Sequence, residues 1–319
     1  MSSLATRTAG RVAPPAQRVS RKNVSPVEAR RRKIFWPFLA PALLVYAVLF
    51  LGPAIASVVI SFTRWDGIGT AEPVGIDNYL TLMGDTVFHT AFKNTMVVLL
   101  GGGIAVFVLA FGLTMVLREM RGRKFVRSVV FFPTIISPVV LAILWGFIFQ
   151  ANGLMDTGLD QIGIANSPNW LGDHLFLIIV IGLVWTHLGL YVTILMAAVD
   201  QIPRYLYEEC ALAGATAWQR FRYVTLPLTW DVVSAAAVLW TIGSLKIFEF
   251  IYAFGGTTAD MPPTSVWNSA LFIYGNTFGG RTPSFSFGYA SAAAVVTVIA
   301  VMAFVVLLRR ATRRDPIEF

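Results

Sequence analysis

Tyr207-Glu208-Glu209-Cys210-Ala211-Leu212-Ala213-Gly214-Ala215-Thr216-Ala217-Trp218-Gln219-Arg220-Phe221-Arg222-Tyr223-Val224-Thr225-Leu226-Pro227 is a polar, basic interruption between two long apolar runs. Upstream, Asp200 followed by Pro203 marks a helix start, because proline loses nothing in a first turn and a carboxylate suits the positive helix end. Residues 203–213 are good helix formers, and Gly214 can take the left-handed conformation that stops a helix. Thr216 is placed to cap a second short helix through Arg222, and Leu226-Pro227 ends the excursion. The expected product is a short helix, a tight bend and a second helix at a membrane surface, a shape that suits insertion into a cleft on a partner.

The runs on either side define the solvent. The chain has 319 residues, 56% of them hydrophobic and 13% charged, against about a quarter charged in soluble domains. A bilayer core needs roughly 20 apolar residues of helix. Six segments meet that length: 35–62, 92–117, 125–149, 175–200, 231–253 and 286–308. Unpaired backbone groups are intolerable in hydrocarbon and the runs are too continuous for barrel strands, so the expected class is an all-α integral membrane fold with six transmembrane helices. Of the 25 basic residues, Arg64, Lys93 and Arg281 alone fall on one side and Lys246 falls inside a span. The remainder crowd the amino-terminal arm, the 118–127 loop, the 201–229 loop and the tail after residue 308. That asymmetry places both termini and the 201–229 loop in the cytoplasm.

The net charge of +8 is therefore read as topology signal or as contact with anionic membrane lipid, not as a nucleic-acid surface. The lone Cys210 forms no internal disulfide and lies on the reducing side. Three histidines (His89, His174, His187) and one cysteine give no metal cluster. The first apolar run is too long for a signal-peptide core and stays as a span. Residues 1–34, rich in Ser, Ala, Arg and Pro, read as a disordered basic cytoplasmic arm, either inert or interacting. Residues 35–319 form the transmembrane domain. Between spans one and two, Arg64 to Gly69 and Gly75 to Tyr79 read as turns and a short interfacial helix, and Phe132-Pro133 and Ser137-Pro138 break the first turns of span three.

The 207–227 stretch resembles the coupling loop of binding-protein-dependent ABC importer permeases. In that family the pattern is Glu-Ala-Ala, three residues, Gly, nine residues, Ile, any residue, Leu-Pro. Here Glu208, Gly214, Val224 and Leu226-Pro227 keep the spacing, while Glu209 and Cys210 replace the alanines and Ala213 stands where Asp often precedes the glycine. Phe131-Phe132-Pro133 with Trp145-Gly146, Phe248-Glu249-Phe250-Ile251-Tyr252 with Gly255-Gly256, and Gly288-Tyr289-Ala290-Ser291-Ala292 are similar to successive spans of the sugar-type members. The resemblance implies a MetI-like, type I importer permease with a family core at about 90–310 and a coupling loop at 201–229. It implies that Glu208, Glu209, Gly214, Arg220, Arg222, Leu226 and Pro227 form or flank the contact with an ATPase. It also implies partners: a second related permease, two copies of an ABC ATPase that uses ATP and Mg, and an extracytoplasmic solute-binding protein. This chain itself would bind no cofactor and catalyse no reaction, in the cytoplasmic membrane of a prokaryote.

Ionisable and aromatic residues within spans mark a candidate substrate pathway. Lys246 and Glu249, three apart, share a helical face and either pair structurally or line a pathway. Trp240, Ser244 and Phe248 form a stripe that suits either sugar stacking or helix packing. Trp185, His187 and Tyr191 on span four, and Tyr252 at the end of span five, complete the set. No glycine-rich phosphate loop, serine nucleophile elbow or zinc helix motif occurs, so the chain supplies neither chemistry nor energy. Importer permease for a sugar or oligosaccharide is the leading reading. Glycerol phosphate or another polar solute is an alternative, as is an ion-coupled secondary transporter. A membrane-bound glycosyltransferase lacks its acidic catalytic cluster.

Overall fold

The computed structural model describes residues 26–164, 168–254, 261–280 and 284–312, and the chain divides into two compact units, Met1–Ala54 and Ile55–Phe319. Helix α1 (Pro26–Tyr46), a π turn (Ala47–Leu51) and α2 (Gly52–Ile60) carry the first apolar window, Phe35–Ile60, whose side chains are largely exposed. The expected disordered arm therefore needs correcting over residues 26–34, which are helical; residues 1–25 lie outside the described residues.

An antiparallel two-stranded ribbon, β1 (Thr63–Arg64) with β2 (Glu72–Pro73), follows, then α3 (Asp77–Gly84), the expected short helix. Asn78 donates from its side chain to the carbonyls of Ser61 (2.8 Å) and Thr63 (2.9 Å), which ties α3 to the end of α2. The second span is α4 (Thr86–Met96), a π stretch (Val97–Gly102) and α5 (Gly103–Glu119). Asp85 caps α4 by accepting from the Val87 and Phe88 amides, and the Tyr289 hydroxyl donates to its other oxygen (2.6 Å). A π stretch disturbs the regular carbonyl ladder. Here the Leu99 carbonyl accepts from the Trp240 indole at 2.8 Å.

Span three is broken. Helix α6 (Arg123–Ile135) ends before Ser137, and α7 (Pro138–Phe149) restarts with proline in its first turn, followed by the short α8 (Leu154–Gln161). Of the two expected proline breaks, only Ser137-Pro138 interrupts the helix, since Pro133 sits within α6. Span four, α9 (Leu175–Asp200), is the central helix and packs against α5, α6 and the segments of span five. Gly189 makes this possible, because a Cβ there would collide with the Val130 carbonyl and the Phe131 backbone of α6. Small residues allow such close backbone approach in membranes, where packing substitutes for a hydrophobic driving force.

The coupling region comprises α10 (Arg204–Leu212), α11 (Ala217–Arg220), a π turn (Phe221–Thr225) and α12 (Leu226–Leu228), and α13 (Trp230–Leu245) leaves at 75°. Leu226-Pro227 lies inside this helical run, so the exit bend falls at Thr229 rather than at the proline. The expected continuous fifth span, 231–253, also needs correcting. The helix stops at Leu245 and resumes as α14 (Glu249–Phe254). Helix α15 (Ser269–Thr277) and the final span α16 (Phe287–Thr312) complete the described chain. Among the described residues, five helices are long and apolar enough to cross a membrane, and six if the bent pair is one span.

Candidate functional site

The coupling loop is built from local rules. Gly214 has φ +76, and the Ala215 amide donates to the Cys210 carbonyl (2.9 Å) while the Gly214 amide donates to that of Ala211 (3.0 Å). These two bonds are the Schellman arrangement that closes a helix through a left-handed residue. Two residues after Gly214, Thr216 opens the next helix with a full capping box: its Oγ1 accepts from the Gln219 amide (3.3 Å), and its own amide donates to Gln219 Oε1 (2.7 Å). Only Ala215 separates stop from start, which makes the bend short and stiff.

The bend presents a mixed surface. Glu208 and Glu209 are exposed, as are Arg222, Leu212 (91%), Trp218 (66%) and Tyr223 (71%). Arg220, Leu226 and Pro227 are half-buried, and Leu226 packs into the core beneath α5 and α9. The loop is anchored by the Tyr207 hydroxyl against Thr225 (2.8 Å), by Phe221 edge-on to Phe111, and by the neighbouring Arg123–Asp200 pair at 3.0 Å. Apolar groups held outward on a rigid knob are the usual anchors of a protein interface.

The residues suspected of lining a pathway separate into two groups. Trp240 (3% exposed), Ser244 and Tyr191 are core. Trp240 is bonded to Leu99, Ser244 donates to the Thr241 carbonyl (2.9 Å), and Tyr191 lies between the Phe107 and Trp240 rings. The Trp240–Ser244–Phe248 stripe is thus packing up to Ser244 and ends where the helix ends. Trp185 is partly exposed against Trp145.

His187, Lys246, Phe248 and Glu249 come together. They line a cleft of about 240 Å³ with Pro138 and Leu183, where the break in span three and the break in span five meet α9. Lys246 and Glu249 do not share a helical face, because residues 246–248 are non-helical, and no ion pair joins them among the described residues. The helix break instead exposes both to the cleft. His187 Nδ1 donates to the Leu183 carbonyl at 2.8 Å, which leaves Nε2 as the acceptor of the neutral ring. Phe248 stacks on Tyr252, and Tyr274 of α15 closes edge-on over both rings at 5.0 and 5.5 Å.

Two residues that hold this arrangement are not apparent from local sequence. Asn268 donates from its side chain to the Ile247 carbonyl freed by the break, and its Oδ1 caps α15 at the Leu271 amide (3.0 Å). Asn94 on α4 binds the carbonyls of Ser265 (2.8 Å) and Trp267 (2.9 Å), fastening the segment that carries Asn268. Irregular backbone at membrane depth persists where protein satisfies it or where it lines a cavity; here Asn268 satisfies the Ile247 carbonyl, and the break lines the cleft. Among the described residues no group of His, Cys, Asp and Glu is arranged to hold a metal ion.

Broken spans around a polar cleft, with a stiff cytoplasmic knob between spans four and five, define a multi-pass membrane permease. The profile of the binding-protein-dependent transport system inner membrane component matches residues 112–314. The chain belongs to that family. It is 30% identical over 274 residues to the lactose transport system permease protein LacF of Rhizobium radiobacter, covering 84% of this chain and 91% of that protein. It is 28% identical over 296 residues to the trehalose/maltose transport system permease protein MalF of Thermococcus litoralis, covering 91% and 97%. Among solved structures, a chain of a bacterial ABC transporter involved in the import of the acidic polysaccharide alginate superposes with a TM-score of 0.74 at 22% identity, covering 90% of this chain and 98% of that one. This last likeness confirms the fold.

Proposed function

We propose that this chain carries a sugar or oligosaccharide across the cytoplasmic membrane of a prokaryote as one half of a permease heterodimer. Two copies of an ATPase, which bind and hydrolyse ATP with Mg, power the cycle, and an extracytoplasmic binding protein delivers the solute. The observation that carries the reading is the coupling loop: a Schellman stop and a capping-box start back to back, presenting Glu208, Glu209 and Leu212 outward. Such a knob transmits force because its bend is fixed by hydrogen bonds at both ends. Arg220 and Arg222 sit behind it, and Leu226 and Pro227 lead to the Thr229 bend.

Support for the solute class comes from the names of relatives, which concern lactose, trehalose/maltose and alpha-glucoside transport. The cleft chemistry agrees. Phe248 and Tyr252 offer faces on which the apolar side of a sugar ring stacks, and His187, Lys246 and Glu249 offer both donors and acceptors to hydroxyls. The test is purification of the tagged chain in mild detergent together with its partners. Wild type is expected to bring down an ATPase and a second permease, and Leu212→Asp to lose the ATPase while retaining the permease. Recovery of the chain alone, with uptake driven by an ion gradient, would overturn the reading. For the cleft, Glu249→Gln and Lys246→Gln are each expected to lower sugar uptake about tenfold or more, through loss of a charge-assisted hydrogen bond, with ATPase recovery unchanged.

A further inference from the structure

Beside the coupling loop lies a cavity of about 440 Å³, apart from the polar cleft and bordered by Glu208 of the outward surface. Arg118 at the end of α5, Arg123 at the start of α6, Arg204 at the start of α10 and Arg220 at the end of α11 converge on it. They face only two carboxylates, Asp200 and Glu208, so the wall carries surplus positive charge. Arg123 is engaged with Asp200. The Arg118 guanidinium lies 3.5 Å over the Tyr207 ring, a contact that orients its N–H groups without consuming them. Arg220 Nε is buried and has no hydrogen-bond partner among the described residues. A buried guanidinium donor left unpaired is unfavourable, and an anion relieves it.

A second cavity, apolar and about 500 Å³, is lined by Phe107, Phe111 and Met115 of α5 and by Trp218 and Phe221 of the coupling region. On α5 these positions climb one face and reach Arg118 within a turn after Met115. On the coupling side Phe221 directly follows Arg220. The same two segments thus contribute to an arginine-lined cavity and to an apolar one. The arginine-lined cavity lies at the end of α5, the level of the headgroups of the anionic leaflet, and the apolar one extends from there along α5 toward the hydrocarbon, Phe107 lying eleven residues before Arg118, about 16 Å of helix.

We propose that the two cavities form one amphipathic site for an anionic phospholipid of the cytoplasmic leaflet. Its phosphate sits among Arg118, Arg204 and Arg220, supplying the acceptor that Arg220 Nε lacks, and an acyl chain runs along Phe107, Phe111 and Trp218. The bound lipid braces the second coupling helix against α5, so leaflet composition bears on the stiffness of the knob. A free inorganic anion fits the arginines alone and leaves the apolar cavity unexplained.

The test uses the full chain reconstituted in nanodiscs of phosphatidylglycerol and phosphatidylethanolamine, released gently and weighed by native mass spectrometry. Wild type is expected to retain phosphatidylglycerol in preference to phosphatidylethanolamine. The Arg118→Gln/Arg220→Gln variant is expected to retain it about tenfold less, and Trp218→Ala to hold it more weakly with the headgroup preference intact. Arg127→Gln, an exposed arginine outside the cavity, is expected to match wild type. If the double variant lacks wild-type helical circular dichroism, the milder Arg204→Gln at an exposed position provides the same comparison. Equal retention of both lipids by wild type, or undiminished retention in the arginine variants, overturns the proposal. Full displacement of lipid by millimolar inorganic phosphate also overturns it, assigning the cavity to a soluble anion.

Discussion

Gly214 shows how much one backbone angle governs. Its φ of +76 is left-handed, and no atom lies within 4 Å of where a Cβ would stand. Space is therefore not at issue; strain alone decides the outcome of substitution. A left-handed conformation costs an ordinary L-residue about 1–2 kcal/mol, with Asn tolerating it best and β-branched residues least. Gly214→Asn is expected to retain much of the uptake, Gly214→Ala less, and Gly214→Val essentially none, all with normal amounts of protein in the membrane. Radiolabelled sugar uptake beside a membrane immunoblot measures this, and normal uptake by Gly214→Val would sink the coupling assignment. Gly214 was legible from sequence because a glycine after a helix-forming run has a local meaning. Asn268 was not, because its partner, the Ile247 carbonyl, becomes available only after a helix has broken elsewhere. Asn268→Leu leaves that carbonyl buried and unpaired, at about 1–3 kcal/mol. Lower thermal stability in detergent is expected, together with reduced uptake.

At the level of elements, span five separates what hydropathy reports from what packing does. Residues 231–253 are apolar enough for one helix, and Lys246-Ile247-Phe248 contains neither proline nor glycine. Nothing local announces a break. It exists because Asn268 takes up the freed carbonyl, Ile247 and Phe250 are drawn into the core around α7 and α9, and Lys246 and Glu249 face the cleft instead of the core. Span three differs, since Ser137-Pro138 carries its own breaker and the interruption falls where the proline predicts it. The coupling loop resembles span three in this respect. Its Gly214 stop and Thr216 start are both local signals, and both appear in the geometry. The exit falls at Thr229 rather than at Pro227 because the helical run, already loosened by the π turn at Phe221–Thr225, continues through Leu228.

For the whole molecule, the arrangement of basic residues predicts that the knob faces the cytoplasm. Cys210 reports this directly, being the single cysteine, partly exposed and within α10. A membrane-impermeant maleimide is expected to spare Cys210 in intact spheroplasts and to modify it in inside-out vesicles. Modification in intact spheroplasts would invert the topology and remove the coupling loop from any ATPase.

The sequence by itself determined the solvent, the approximate placement of the apolar spans, and the stop and restart of the coupling knob. Each rests on properties summed or read along the chain: apolar length, a glycine's freedom, a threonine's cap. Tertiary structure alone decided that Trp240 serves the Leu99 carbonyl, that Asn268 sustains the break in span five, and that His187, Lys246 and Glu249 share one cleft. Those outcomes turn on hydrogen bonds between groups far apart in the chain, where a distant side chain competes with a helix's own ladder, and no local pattern records the winner.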